Sequence, residues 1–72
     1  MANLYLTSEE MQQLKHIHKY TYNNSMKENR IRVILAYNED IPKDEIKKLF
    51  LLDLKTIRRY INDFIQYRMD SI

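Results

Sequence analysis

Lys55, Arg58, Arg59 and Asn62 recur at i, i+3, i+4 and i+7, and Gln66 extends the row to i+11. On a helix that spacing gathers all five side chains on one face. The residue types suit one chemistry. Lysine and arginine cations pair with phosphate oxygens, an arginine fork or a lysine reaches guanine edges, and the amides of Asn and Gln address adenine edges. Thr56, beside them, has a hydroxyl that can bond a phosphate or assist a helix cap. Arg30 and Arg32, further up the chain, are candidates to hold phosphates. The plain alternative is that a basic stripe on a surface helix is only a solvated face.

No other group of residues offers a reaction. There is no nucleophile–base set, no glycine-rich loop and no cysteine. His16 and His18 stand two apart and so fall on different faces of a helix, without the i, i+4 spacing of helical zinc ligands. Glu9, Glu10, Asp44 and Glu45 sit where helices start, and capping and the helix dipole account for them. We therefore expect no enzyme, no metal site, no cofactor and no small-molecule substrate. Tyr20 and Tyr22 could stack on the bases of a single strand, but packing between helices is the simpler expectation.

The stripe needs a helix to hold it, and the segment "EIKKLFLLDLKTIRRYINDF" at 45–64 raises a question about that helix. A single helix from Lys43 to Tyr67 would run about 25 residues, roughly twice the usual length. The apolar phase also breaks. A stripe through Ile46, Leu49 and Phe50 should continue near position 53, which is aspartate, while Leu51, Leu52 and Leu54 fall off it. Aspartate is a strong N-cap and a poor helix-interior residue. The sequence thus predicts a turn at Leu51–Leu52, Asp53 as N-cap, and a last helix from about Leu54 to Tyr67. Its inner face is Ile57, Tyr60, Ile61, Phe64 and Ile65.

Upstream, "TSEE" at 7–10 reads as a capping box. It opens a helix from about Ser8 to Lys19 with Met11, Leu14 and Ile17 or His18 inward. Leu6 is placed to staple over Met11 or a neighbour. "SMKE" at 25–28 reads as a second capping box, opening a helix from about Met26 to Tyr37. There Ile31, Ile34 and Leu35 are expected inside, and Arg30 and Arg32 mostly outside. "YTYNN" at 20–24 reads as a loop and "NEDIP" at 38–42 as a break. Pro42 suits the first turn of a third helix, where its missing N–H costs nothing.

Composition sets the outer limits. Seventy-two residues make one domain at most, 1–72, with zero glycine and one proline favouring helices throughout. So short a chain buries only about 60% of the surface its unfolded form exposes. The net charge is +2, from 12 Lys+Arg against 10 Asp+Glu. Charges cancel over 1–29 and over 30–54, so the excess lies in 55–72, most of it at the start of that segment. No apolar run is long enough to span a bilayer, and "MANLYLTSEE" lacks the pattern of a signal peptide. The expectation is a soluble cytoplasmic protein without a membrane partner.

With these elements in order, a family comes into view. "LTSEE" (6–10), "RIRVILA" (30–36), "DIPKDEI" (40–46) and "DLKTIRRYI" (53–61) follow one another as in the N-terminal helix-turn-helix of bacterial mariner-like insertion-sequence transposases, which this chain resembles over about residues 6–65. Eleven residues separate Ile46 from Ile57, as between the matching Ile and Val of the family pattern. The chain departs from that pattern in four places. Lys47 stands for the usual Ala, Leu51 for the turn Gly, Asp53 for the capping Ser, and Tyr60 for Trp. The resemblance implies an all-α, three- to four-helix, homeodomain-like fold with its helix-turn-helix at about 41–67. It also implies sequence-specific binding of double-stranded DNA, as a transposase DNA-binding head or a small stand-alone regulator of transcription. The family's catalytic carboxylates lie in a separate, later domain.

Two further expectations follow from the residues. Phe50, Leu51, Leu52 and Leu54 crowd more apolar surface than so small a fold can easily cover, which suggests either core around the turn or a homodimer contact. The nearly balanced charge also suits a rival class, a small helical protein-interaction module such as an inhibitor, antitoxin or effector.

Overall fold

The computed structural model describes residues 4–20 and 25–72. Among the described residues the chain is all-α, with helices α1 (Ser8–Lys19), α2 (Ser25–Asn38), α3 (Lys43–Phe50) and α4 (Leu54–Tyr67) and a closing 3-10 turn at Arg68–Ser71. The long single helix is thus excluded. The chain breaks where the apolar phase breaks, and the helix bounds match the expected ones to within a residue or so.

Local chemistry explains each boundary. Thr7 Oγ1 accepts from the Glu10 N–H at 3.0 Å, and the Glu10 carboxylate accepts from the Thr7 N–H at 3.1 Å, completing the expected capping box. Just past the end of α2, Asp40 takes a φ of 63°, while Ile41 N–H reaches back to Ala36 O (3.2 Å) and Asp40 N–H to Tyr37 O (3.1 Å). This pair of bonds is the Schellman stop, with aspartate where glycine is commoner. Pro42 is the residue immediately before α3, in extended conformation, one position earlier than expected. The expected capping box at 25–28 does not form. Ser25 already lies within α2, and Glu28 turns its carboxylate to Arg32 and to His18, at 3.7 Å. Residues 21–24, including Tyr22, lie outside the described residues. Tyr20 corrects another expectation, for it is exposed, with the His16 ring edge-on at 5.1 Å between centroids and Lys19 Nζ 5.8 Å from its ring centre.

Helix α2 is the centre of the molecule, packing against α1, α3 and α4. That is why Val33 and Ala36 are buried along with Ile31 and Ile34, while Leu35 is only half-buried. A helix with neighbours on three sides has no free polar face over that stretch, and "IRVILA" carries only one polar residue. Leu4, Leu14, Ile46, Ile57, Tyr60, Ile61 and Phe64 complete the core. Leu6 packs onto this core from the side, and its N–H donates to Asn38 Oδ1 at 3.1 Å.

The two ends of the described structure are strapped together. The Arg68 guanidinium donates to both carboxylate oxygens of Glu10, at 3.0 and 2.6 Å, and to Tyr5 O at 2.8 Å. It also lies 4.9 Å from the Phe64 ring centre. The Arg68 guanidinium holds the Glu10 carboxyl below its ordinary value of 4.5, with the Thr7 N–H helping and partial burial opposing. A lowered folded-state value stabilises the fold above the ordinary value, and that stability is lost as pH falls through the lowered one. Glu10→Gln keeps a capping side chain but not the charge. Its melting midpoint should lie below wild type at neutral pH, with the gap closing as pH drops below 4.5. Melts across that range check it, and a gap that stays constant or widens would rule the charge pair out as its source.

Candidate nucleic-acid interface

Three residues, 51–53, join α3 to α4, and two of them do the structural work. Leu51 takes the left-handed conformation, with φ of 55° and ψ of 41°. That conformation costs a non-glycine residue about 1–2 kcal/mol. It turns the chain without glycine and aims Asp53 at the open end of α4. The Asp53 carboxylate accepts from the Thr56 N–H at 2.8 Å. The Thr56 side chain and N–H, with the nearby Lys55 and Lys47 charges, hold its carboxyl below the ordinary value. The Thr56 N–H therefore serves the cap. Asp53→Ala should lower the melting midpoint by several degrees. A midpoint equal to wild type would show that the cap is not what starts α4.

Beyond the cap, α4 divides cleanly. Ile57, Tyr60, Ile61 and Phe64 are buried against α2 and α3, and Ile65 is half-buried at the edge. Lys55, Arg58, Arg59, Asn62 and Gln66 are all exposed on the other side. Arg59 leans over the rim of Tyr60, its guanidinium carbon 5.9 Å from the ring centre. Among the described residues no ion pair engages Lys55, Arg58 or Arg59. Asp53 takes up the Thr56 N–H, and the Ile57 N–H donates to Asp53 O. The N–H groups of Leu54 and Lys55 remain at the positive end of the helix without intrahelical acceptors. Helix end and stripe together form one cationic, donor-rich surface.

The two second-helix arginines do not join it. Arg30, expected outside, is half-buried. Its guanidinium carbon lies 5.1 Å from the centre of the Tyr60 ring, and it donates to Ser71 O at 2.7 Å. It ties α2 to α4 and the closing turn. Arg32 is exposed but paired with Glu28, one turn earlier on the side of α2 that meets His18 of α1. Sequence spacing had no means of revealing the partners of Arg30, because Tyr60 and Ser71 are distant in the chain, whereas Glu28 stands only four residues before Arg32.

Several apolar expectations are also corrected. Leu49, expected inward, is 62% exposed, and Leu51 is 90% exposed. Helix α3 has only eight residues and buries only Ile46 completely, so the chain turns away before anything covers Leu49. Phe50 and Leu52 pack against the core, and Leu54 is half-buried. No group of three or more His, Cys, Asp and Glu gathers among the described residues. No helix among them is long and apolar enough to cross a membrane.

Fold and surface together define a small all-α protein with two helices joined by a three-residue turn, the second of them basic on its open face. Comparison of the chain with family models, with curated proteins and with solved structures finds no match.

Proposed function

We propose that the chain binds double-stranded DNA sequence-specifically, with α3 and α4 acting as a helix-turn-helix in a homeodomain-like arrangement and α4 as the reading helix. One observation carries this reading. A capped helix begins immediately after a tight turn, and Lys55, Arg58, Arg59, Asn62 and Gln66 make up most of its open face, with Tyr67 exposed at its far end. In such motifs the N-terminal part of the second helix meets base edges in the major groove. Lys55 and Arg58 stand there, with Arg59 beside them for the phosphate backbone. The cap and turn fix the direction of the helix, which reading a groove requires and a merely soluble surface does not. The resemblance to the mariner-like transposase head supports the same reading. It leaves two roles, the DNA-binding head of a transposase or a small regulator of the same ancestry, acting in the cytoplasm.

A salt titration tests it. Contacts to phosphates release counterions, so affinity for duplex DNA should fall steeply and log-linearly with salt. A chain with no affinity for duplex DNA even at low salt would end the reading, and the protein-interaction alternative would take its place. The exposed Leu49 and Leu51 are the observation that favours that alternative.

A further inference from the structure

Leu51 fits neither the backbone nor the core. Its left-handed conformation suits glycine, and its side chain is 90% exposed. Within one copy of the chain that side chain stabilises nothing. Leu49, two positions earlier, is also largely uncovered. These two leucines stand at one end of a patterned surface. Along the open side of α3 run Asp44 and Glu45, then Lys47 and Lys48, then Leu49, all exposed. At the other end are Pro42, exposed, and Ile41, half-buried. Among the described residues no ion pair engages Asp44, Glu45, Lys47 or Lys48.

We infer that this face of α3 pairs with the same face of a second copy, the two helices running antiparallel about a two-fold axis between Ile46 and Lys47. The pattern is complementary to itself only in that direction. Turned end for end, Glu45 meets Lys48 of the other copy, and Lys48 meets its Glu45. Leu51, just past the helix end, then falls level with Pro42 of the other copy. A parallel pairing in register would instead set acid on acid and base on base. An interface related by a two-fold axis must present one patch to itself in this way. The pairing does not depend on DNA binding, and it gives the exposed Leu51 a partner surface, while Leu49 falls level with Asp44 of the other copy. Of the contact expected from the sequence, Phe50, Leu51, Leu52 and Leu54, it keeps Leu51 and adds the charged face of α3.

Sedimentation equilibrium of the whole chain, without DNA, tests the pairing. Wild type should show a concentration-dependent dimer. Leu51→Gly should weaken self-association by about tenfold or more, since it removes a leucine from each side. Because glycine suits the left-handed turn, this variant should melt no lower than wild type under conditions where both are monomers. Glu45→Lys alone and Lys48→Glu alone should each lose the dimer, because each sets like charges opposite one another twice. An equimolar mixture of the two should regain it as a heterodimer. A wild type that stays monomeric at the highest attainable concentration overturns the pairing. So does a wild-type dimer that survives Leu51→Gly, or a charge-swapped mixture that fails to associate. None of these outcomes bears on duplex binding, so this inference and the proposed function fail separately.

Discussion

Phe64→Ala should leave much of the chain unfolded under mild conditions. Phe64 is fully buried at the middle of the inner face of α4, and Arg68 stacks on its ring from the closing turn. Removing a buried phenyl group costs about 3–5 kcal/mol, in lost transfer energy and in the cavity left behind. At about 0.05–0.15 kcal/mol per residue, a domain of this size has only about 4–11 kcal/mol in total. One substitution would therefore remove a large share of the stability, and it would also strip Arg68 of its packing. Gln12→Ala is the control, because Gln12 is exposed on α1 and surface changes usually stay within about 0.5 kcal/mol. Urea unfolding of the three proteins, followed by far-UV circular dichroism, reads the difference. Equal midpoints for Phe64→Ala and Gln12→Ala would mean that the inner face of α4 has been wrongly assigned.

The second large effect falls on binding and sorts residues by role. Lys55 and Arg58 are nearest the start of α4, where a reading helix meets base edges. Alanine at whichever of them reads a base should cost about 1–3 kcal/mol and relax preference at one position of the site. Arg59 lies on the same face and is placed for the backbone. Arg59→Ala should weaken a selected and a scrambled duplex alike and reduce the salt slope by about one. Asn62 stands one turn further along the same face. Arg30→Ala should act differently from all of these, lowering stability through the lost Tyr60 and Ser71 contacts. Its effect on binding should then follow stability alone. Affinities of each variant for both duplexes at several salt concentrations, beside their melting curves, separate these roles. If no stripe variant changes affinity, the stripe is only a solvated face.

Helices and caps were legible in the sequence because their signals are local. Thr7 and Glu10 are three residues apart, and so are Asp53 and Thr56, so the cap and the N–H that donates to it could be read from one short window. The apolar phase break at Asp53 revealed the turn for the same reason. The departure from the family pattern at Leu51 was visible too, and the positive φ there is what a turn glycine would have supplied without strain. What could not be read was set by tertiary neighbours. Leu49 has the right spacing for burial but lies beyond the reach of α2 and α4. Arg30 has the right spacing for exposure, but an aromatic ring from α4 draws it in. Val33 and Ala36 are buried because α2 is central, a property of the assembled fold. The face of α4 that carries the stripe was fully readable, since its inner residues alone decide which side is left open.

The most direct test of the central claim is selection from a pool of randomised duplexes, followed by affinity measurement for two proteins. One is the wild-type chain and the other carries alanine at Lys55, Arg58, Arg59 and Asn62. The account predicts that wild type enriches a defined sequence and prefers it strongly over a scrambled duplex. It predicts that the fourfold variant still folds, because all four side chains are exposed, and that it loses both the preference and most of the affinity. No enrichment by wild type, or a folded variant that binds the selected duplex as tightly as wild type, would contradict it.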